Sequence, residues 1–382
     1  MPARTLERHA ILRTLRAHGP MSRRVLAHTA QLPTGTVVAA LEELQGEHLV
    51  EVVFTDRSTG GRPLQHWGLA RDAGTALGVT FGRFGLTLAA VDFAGEVRAV
   101  DERPMPSPPM PVPVARALAQ AVEAMWERLQ TPVGQRLGVG IALPGIYAPD
   151  RGVLFLPNLS GWVGSDPRSL LADAIGLPVH IENDANAAAY AEGLRGSARG
   201  VRNYVYCLVA DGTGGAVVVD GRLVRGAIGV AGEFGHLPAG GRHVCNCGLT
   251  GCLETEASGL ALRRLVEDEG VAPDAAIAHL AGHLGVALAG VVNALAPETV
   301  VLGGWVVDRH PELLFAVAES ARAHIVPLLS THVRWAPAAV AAAPAVGAAL
   351  MVLDGAGAKG GENERASKAL RGTLAPESPA SP

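Results

Sequence analysis

The stretch HLPAGGRHVCNCGLTGCLE, residues 236–254, brings three thiols within eight residues in the pattern Cys245-x-Cys247-x4-Cys252. Soft thiolates at this density select zinc, and a tetrahedral shell needs one more donor, for which His236 and His243 are the candidates. The Cys-x-Cys spacing is tighter than that of an ordinary Cys-x2-Cys knuckle, so the segment is not a standard finger. With a histidine completing the shell no position stays open for water, and the expected role of Zn2+ is structural. Gly248 and Gly251 bracket the turn that folds Cys252 back toward the ion. The fourth thiol, Cys207, lies in the apolar run YVYCLVA (204–210) and reads as a buried strand residue.

Outward from this segment the chain reads as α/β. Hydrophobic residues make up 48% of the 382 but aromatics only 4%, so the core must be built mainly from Ala, Val and Leu, and the length calls for two or three compact units. Residues 1–70 are expected to form a winged helix-turn-helix. Leu6, Ile11, Leu12 and Leu15 make a helical stripe closed by Gly19-Pro20, and Ser22 caps a second helix with Val25 and Leu26 facing inward. After the turn Gln31-Leu32-Pro33, Thr34 opens a third helix carrying Val37, Val38, Leu41 and Leu44; strands at 49–54 and 65–69 then flank RSTGGRP as a wing. This segment holds eight Arg and no Lys against six acidic residues, in a chain of net charge -4, which concentrates phosphate-contacting charge at one end.

From residue 76 the pattern changes. Strands are expected at 76–81, 86–93 and 96–102, a proline-rich connector at 103–113, a helix at 114–130, strands at 137–143 and 179–182, and a helix at 185–194. The same grammar returns with a strand at 204–209, a Gly-rich turn at 212–215, a strand at 216–219, helices near 257–268 and 275–295, a strand at 299–302 and a helix at 311–324. Two lobes, 74–190 (completed by 340–355) and 191–339, imply a cleft between them. The tail, 356–382, is polar enough to be expected disordered. No run of eighteen apolar residues escapes charge and Gly/Pro interruption, 281–296 coming nearest, and MPARTLERHA is not a leader; no membrane partner and a cytoplasmic location are expected.

These motifs resemble those of the ROK family (repressors, open reading frames and sugar kinases) over residues 5–355. The family signature joins Glu-x-Gly-His to Cys-x-Cys-Gly-x-x-Gly-Cys-Leu-Glu, here Glu233-Phe234-Gly235-His236 and CNCGLTGCLE (245–254). The resemblance implies an α/β fold: a two-lobed actin/hexokinase-like (ribonuclease H-like) sugar-binding unit preceded by a small α+β winged helix-turn-helix domain. It implies that His236, Cys245, Cys247 and Cys252 hold the zinc, and leaves His243 on the surface. It also maps sugar-binding positions onto Asn158 in FLPNLSGW, Asn183 and Asp184 in IENDANAAAYAE, and Glu233, His236 and Glu254. Amides and carboxylates can share hydrogen bonds with adjacent hydroxyls, and His236 can hold zinc through one ring nitrogen while facing a hydroxyl with the other. Helix capping is the competing reading of Asn183 and Asp184.

In ROK kinases the residue matching Asp184 is the general base, so an ATP-dependent sugar kinase is one alternative. Phosphoryl transfer also needs a cradle for the triphosphate, and both phosphate loops depart from the kinase pattern. The first, Asp-x-Gly-x-Thr in the kinases, reads Thr80-Phe81-Gly82-Arg83-Phe84. The second, Gly-Thr-Gly-x-Gly-Gly-Gly, reads Ala210-Asp211-Gly212-Thr213-Gly214-Gly215-Ala216, with Asp211 where a small hydroxyl is expected and Thr213 at the wrong offset. Leu302-Gly303-Gly304 keeps the adenosine-side pattern. The expectation is therefore a non-enzymatic regulator of the repressor type: a homodimer or higher homo-oligomer on double-stranded operator DNA, answering to a monosaccharide or derivative in the cleft. Thr34 and Thr36 on the recognition helix, with Arg57 and Arg62 on the wing, are the expected DNA contacts. A non-catalytic interaction or architectural role is the third alternative.

Overall fold

The computed structural model describes residues 3–56, 63–82, 85–106, 109–148, 152–156 and 160–356. The chain divides into two compact units, one of Met1–Gly74, Asp92–Gly95 and the residues from Val352, the other of Thr75–Val91 and Glu96–Met351.

In the first unit, the helices Ala3–His18, Arg23–Thr29 and Thr34–Gly46 bury Ile11, Leu12, Leu15, Leu26, Val37, Leu41 and Leu44. Leu6 and Val25, expected on the inner faces, are 55% and 50% exposed. Leu26 and Ala27 take the inward face of the short second helix, and Val25, about 100° round from Leu26, is left on its outer side. Ser22 does cap its helix, its Oγ accepting from the Val25 N–H at 3.4 Å, and Gln31 takes the left-handed turn position at φ 55°. Val50–Asp56 pairs antiparallel with Leu64–Leu69, which also pairs with Met21–Ser22, a strand too short to show any alternation in sequence. The wing turn, with Arg57 and Arg62, lies outside the described residues, as does the tail from 357. Arg16, only 1% exposed, donates to the Phe93 carbonyl at 3.2 and 3.4 Å and forms an ion pair with Asp354. Burial lowers its pKa, and Asp354 opposes that shift.

The second unit holds two five-stranded sheets. The first runs Val179–Asn183, Arg136–Leu143, Thr75–Gly82, Gly85–Asp92, Val97–Arg103, with the first three strands parallel. The second runs Arg222–Leu223, Thr213–Val219, Tyr204–Val209, Thr299–Gly303, Arg334–Pro337, parallel from Tyr204–Val209 onward. Tyr204–Val209 is buried at every position, as a continuous apolar run in a strand covered on both faces should be. Burial pushes the Cys207 thiol up to about 12. The expected Gly-rich turn at 212–215 is displaced: Thr213, Gly214 and Gly215 are already in the strand, paired with Val209, Leu208 and Cys207. Gly215 makes room for a ring, since a Cβ there would lie 2.0 Å from Cδ2 of Phe234.

Pro273–Leu295 is long and apolar enough to cross a membrane, more so than the sequence reading allowed. Ile277, Leu280, Leu284, Leu288 and Val292 on it are buried in the core it shares with the Glu312–Arg322 helix, which accounts for its composition. The Ala343–Ala356 helix crosses the first sheet so closely that a Cβ on Gly78 would stand 1.8 Å from the Ala345 carbonyl oxygen. Gly78→Ala is therefore expected to destabilise by about 1–3 kcal/mol. Thermal unfolding checks this, and a variant melting with the wild type would contradict the packing.

Candidate functional site

A cavity of ≈ 1460 Å³ opens in the second unit where parallel strands end: Thr80, Gly145, Asn183, Ala210 and Gly304 all lie on its wall. Crevices at the carboxyl ends of parallel strands are where open α/β sheets take ligands. Asn183, Asp184, Glu233, His236 and Glu254 line it together; Asn158 lies outside the described residues. Capping is realised at Asn183, whose Oδ1 accepts from the Asn186 N–H at 3.0 Å while its Nδ2 donates to the Gly145 carbonyl at 3.1 Å. These bonds fix the first turn of the Asp184–Arg195 helix and so the direction of Asp184. Burial, and after it the neighbouring Glu233, push the Asp184 carboxyl up to about 7, although its Oδ1 accepts from the Ala185 N–H at 2.8 Å. Burial raises Glu233 as well; His236, with Nε2 3.8 Å from Glu233 Oε2, opposes this and Glu254 adds to it. Three carboxyl groups converging on one cavity are rich in acceptors, which suits a ligand that brings several hydroxyl donors.

Donor atoms of His236, Cys245, Cys247 and Cys252 lie within 4.8 Å of one another. Cys245 Sγ is 3.6 Å from His236 Nδ1, and Cys247 Sγ is 3.6 Å from Cys252 Sγ. A tetrahedron with zinc–sulfur bonds of about 2.3 Å and a zinc–nitrogen bond of about 2.0 Å has edges of about 3.5–3.8 Å, so the spacing fits. The charge argument agrees. Cys245 Sγ is 2.9 Å from Glu254 Oε1, and burial followed by that carboxylate raises the Cys245 thiol far above its ordinary value. Thiols beside a carboxylate give up their protons only with a cation among them. The residues thus fit a structural Zn2+ met by His236 Nδ1, with Nε2 on the Glu233 side. His243 is not part of the set: its side chain is 46% exposed and its Nδ1 lies 3.2 Å from Glu256 Oε1.

The phosphate-loop positions are occupied by internal contacts. Thr80 donates its hydroxyl to the Ala142 carbonyl at 3.1 Å, and Phe81 packs on Trp162 with ring centroids 5.8 Å apart. Arg83 and Phe84 lie outside the described residues. Asp211 is on the cavity wall and forms an ion pair with Arg263 at 3.4 Å. Thr213 donates its hydroxyl to the Ala257 carbonyl, so it does not make up for a lost phosphate-facing group. The Arg263 partner is invisible in the sequence because it sits on a separate helix, Gly259–Arg263.

The sequence model of the ROK family matches residues 76–355. The chain belongs to the ROK family. Its α/β actin/hexokinase-like fold and its His/Cys cluster are those of the family. A xylose repressor of Bacillus spizizenii is 26% identical over 363 residues, covering 90% of this chain and 94% of the repressor. The crystal structure of a ROK family transcriptional regulator, a homolog of the E. coli MLC protein, superposes with a TM-score of 0.74 at 25% identity, covering 92% of this chain and 97% of that one. A ROK glucokinase from Streptomyces griseus, solved with glucose and AMPPNP, gives a TM-score of 0.64 at 27% identity, covering 73% of this chain and 99% of its own. The two regulator matches are too long to fit within residues 76–355 and the tail alone, so they extend into the N-terminal residues.

Proposed function

We propose that this ROK protein is a sugar-responsive, DNA-binding transcriptional regulator, a repressor whose operator binding is altered by a monosaccharide or derivative in the cavity. The observation that carries the reading is Asp211, held by Arg263 on the cavity wall at the loop where a kinase needs donors for phosphate. An ionised carboxylate there has no hydrogen to donate to a phosphate oxygen, and the hydroxyls of Thr80 and Thr213 are turned to backbone carbonyls. Hydrogen-bonding partners for a sugar remain in the acceptors Asp184, Glu233 and Glu254, the amide of Asn183 and the Nε2 of His236, with Asn158 proposed as a further partner. Nearly full-length similarity to a xylose repressor supports the same assignment.

In this reading residues 1–70 are the winged helix-turn-helix, and the lobes 74–190 (with 340–355) and 191–339 enclose the sugar. Thr34 is exposed and Thr36 partly so in the first turn of Thr34–Gly46, the end of a recognition helix that meets DNA; Arg57 and Arg62, outside the described residues, are the proposed contacts to backbone or minor groove. A cytoplasmic homodimer sets two such modules on half-sites, and a sugar that prefers one dimer state shifts operator affinity.

Duplexes enriched from a random pool by the metal-loaded full chain, titrated with D-xylose, D-glucose and ATP, test this. Selected duplexes should bind with a salt-dependent affinity that one sugar changes by about 5–150-fold and ATP leaves alone. Failure to enrich any duplex would end the regulator reading. ATP-dependent phosphorylation of either sugar, absent in Asp184→Asn, would establish the kinase alternative.

A further inference from the structure

We propose that Glu256, His279 and His283 form a second metal site, for a divalent transition ion, separate from the cysteine cluster. His279 and His283 stand one turn apart on Pro273–Leu295, with ring centroids 4.5 Å apart, and their donor atoms and the Glu256 carboxylate all lie within 4.8 Å of one another. The i, i+4 spacing puts both imidazoles on one helical face, as in other two-histidine metal sites. Nε2 of His279 is buried and makes no hydrogen bond, although Glu256 Oε2 lies 3.4 Å away, about the nitrogen–oxygen edge of a tetrahedral zinc shell.

The Glu256 carboxylate is oriented for this role. Its Oε1 takes His243 Nδ1 and the Thr255 hydroxyl, each at 3.2 Å, which leaves Oε2 turned to His279. The Arg264 guanidinium stands farther from Oε2 than His279 does, at 3.9 Å. The contacts from His243 and Thr255 to Oε1 fix the plane of the carboxylate, so that Oε2 is the oxygen presented to the histidine pair. Close approach is built in: a Cβ on Gly241 would lie 1.9 Å from Glu256 Oε1.

Two imidazoles and a carboxylate, with no thiol, suit Zn2+, Co2+ or Ni2+ and leave room for water ligands. That room exists as a cavity of ≈ 570 Å³ lined by His279, His283 and Ser320. An ion here would tie the segment that carries the cysteines to the long core helix.

Metal stoichiometry of the untagged full chain tests the proposal. Elemental analysis after equilibration with Zn2+ and gel filtration should give two ions per chain. With Co2+, the first equivalent should show thiolate-to-metal charge transfer and the second only ligand-field bands. His279→Ala and His283→Ala should each bind one ion while keeping the thiolate band, which shows that the rest of the fold is intact. His243→Ala, which removes an orienting partner, should weaken the second ion by about 10–100-fold. One ion in the wild type, or two in both alanine variants, overturns the site. If an alanine variant loses the thiolate band, His279→Gln and His283→Gln take its place under the same criterion.

Discussion

Loss of the cysteine-bound metal will unfold the surrounding segment and, in the proposed regulator, abolish sugar binding with it. Between the short helical turn Phe234–His236 and the helix Leu253–Glu256 there is almost no regular structure. Val244 and Leu249 in this stretch are 74% and 61% exposed, while Cys245 and Cys252 are buried, so the metal stands in for a core. A structural zinc with sulfur and nitrogen ligands contributes about 10–16 kcal/mol, comparable to the whole stability of a typical domain, about 5–15 kcal/mol. Cys247→Ser isolates this ion from any other. Calorimetry of that variant should show a melting temperature far below the wild type, and titration with the sugar found for the wild type should show no binding, because His236 loses the bond that orients its ring toward Glu233. The order of loss on acidification follows from the ligands, which must be deprotonated to bind: lowering the pH lets protons displace the ion. A Cys247→Ser protein that melts with the wild type would remove the metal from the architecture.

What could be read from the sequence was chiefly what is local in it. Cys245, Cys247 and Cys252 declare a metal because their spacing forces them together, whereas Asp184 was reached through the family resemblance, and its place between a strand and a helix is equally that of a capping residue. Distant partners leave no such trace. Nothing near Asp211 announces Arg263, and nothing near Thr213 announces the Ala257 carbonyl, though those contacts decide what the two residues can offer a phosphate. The glycines at 214 and 215 show a further ambiguity. Composition registers that a side chain is missing, without saying whether the backbone needs a turn or a neighbour needs the space, and at Gly215 it is the Phe234 ring that needs the space. Likewise, Val25 and Leu26 are equally apolar, and only the packed helix distinguishes the buried one. His243 read as a surface residue, and it is half exposed; its contact with Glu256, from which the second cluster is built, comes from tertiary structure.

Asp184→Asn will make the protein more stable at pH 8 and a poorer receptor at the same time. Burial pushes the folded-state carboxyl up to about 7, against about 3.9 for a free aspartate, so between those values the native state keeps a proton that the unfolded chain has released. Stability therefore falls as pH rises through this window, and the full penalty is present above it. Its size is about 2–4 kcal/mol, from about 1.4 kcal/mol per pKa unit with allowance for the open side of the cavity. Asparagine has no such titration, and its Oδ1 can still accept from the Ala185 N–H. Thermal melts of the two proteins should thus nearly coincide at pH 4 and separate steadily toward pH 8, with the variant above. Ligand binding moves the other way, because an ionised carboxylate accepts a hydroxyl hydrogen bond worth about 1.5–3 kcal/mol and a neutral amide less. Sugar affinity of the wild type should rise from pH 6 to pH 8, and the variant should be weaker at pH 8 by about 10–100-fold with no pH trend of its own. The two readouts separate the roles. A stability gap without any change in sugar affinity would make Asp184 a buried helix-start carboxyl and nothing more, and would leave the cavity without its central acceptor.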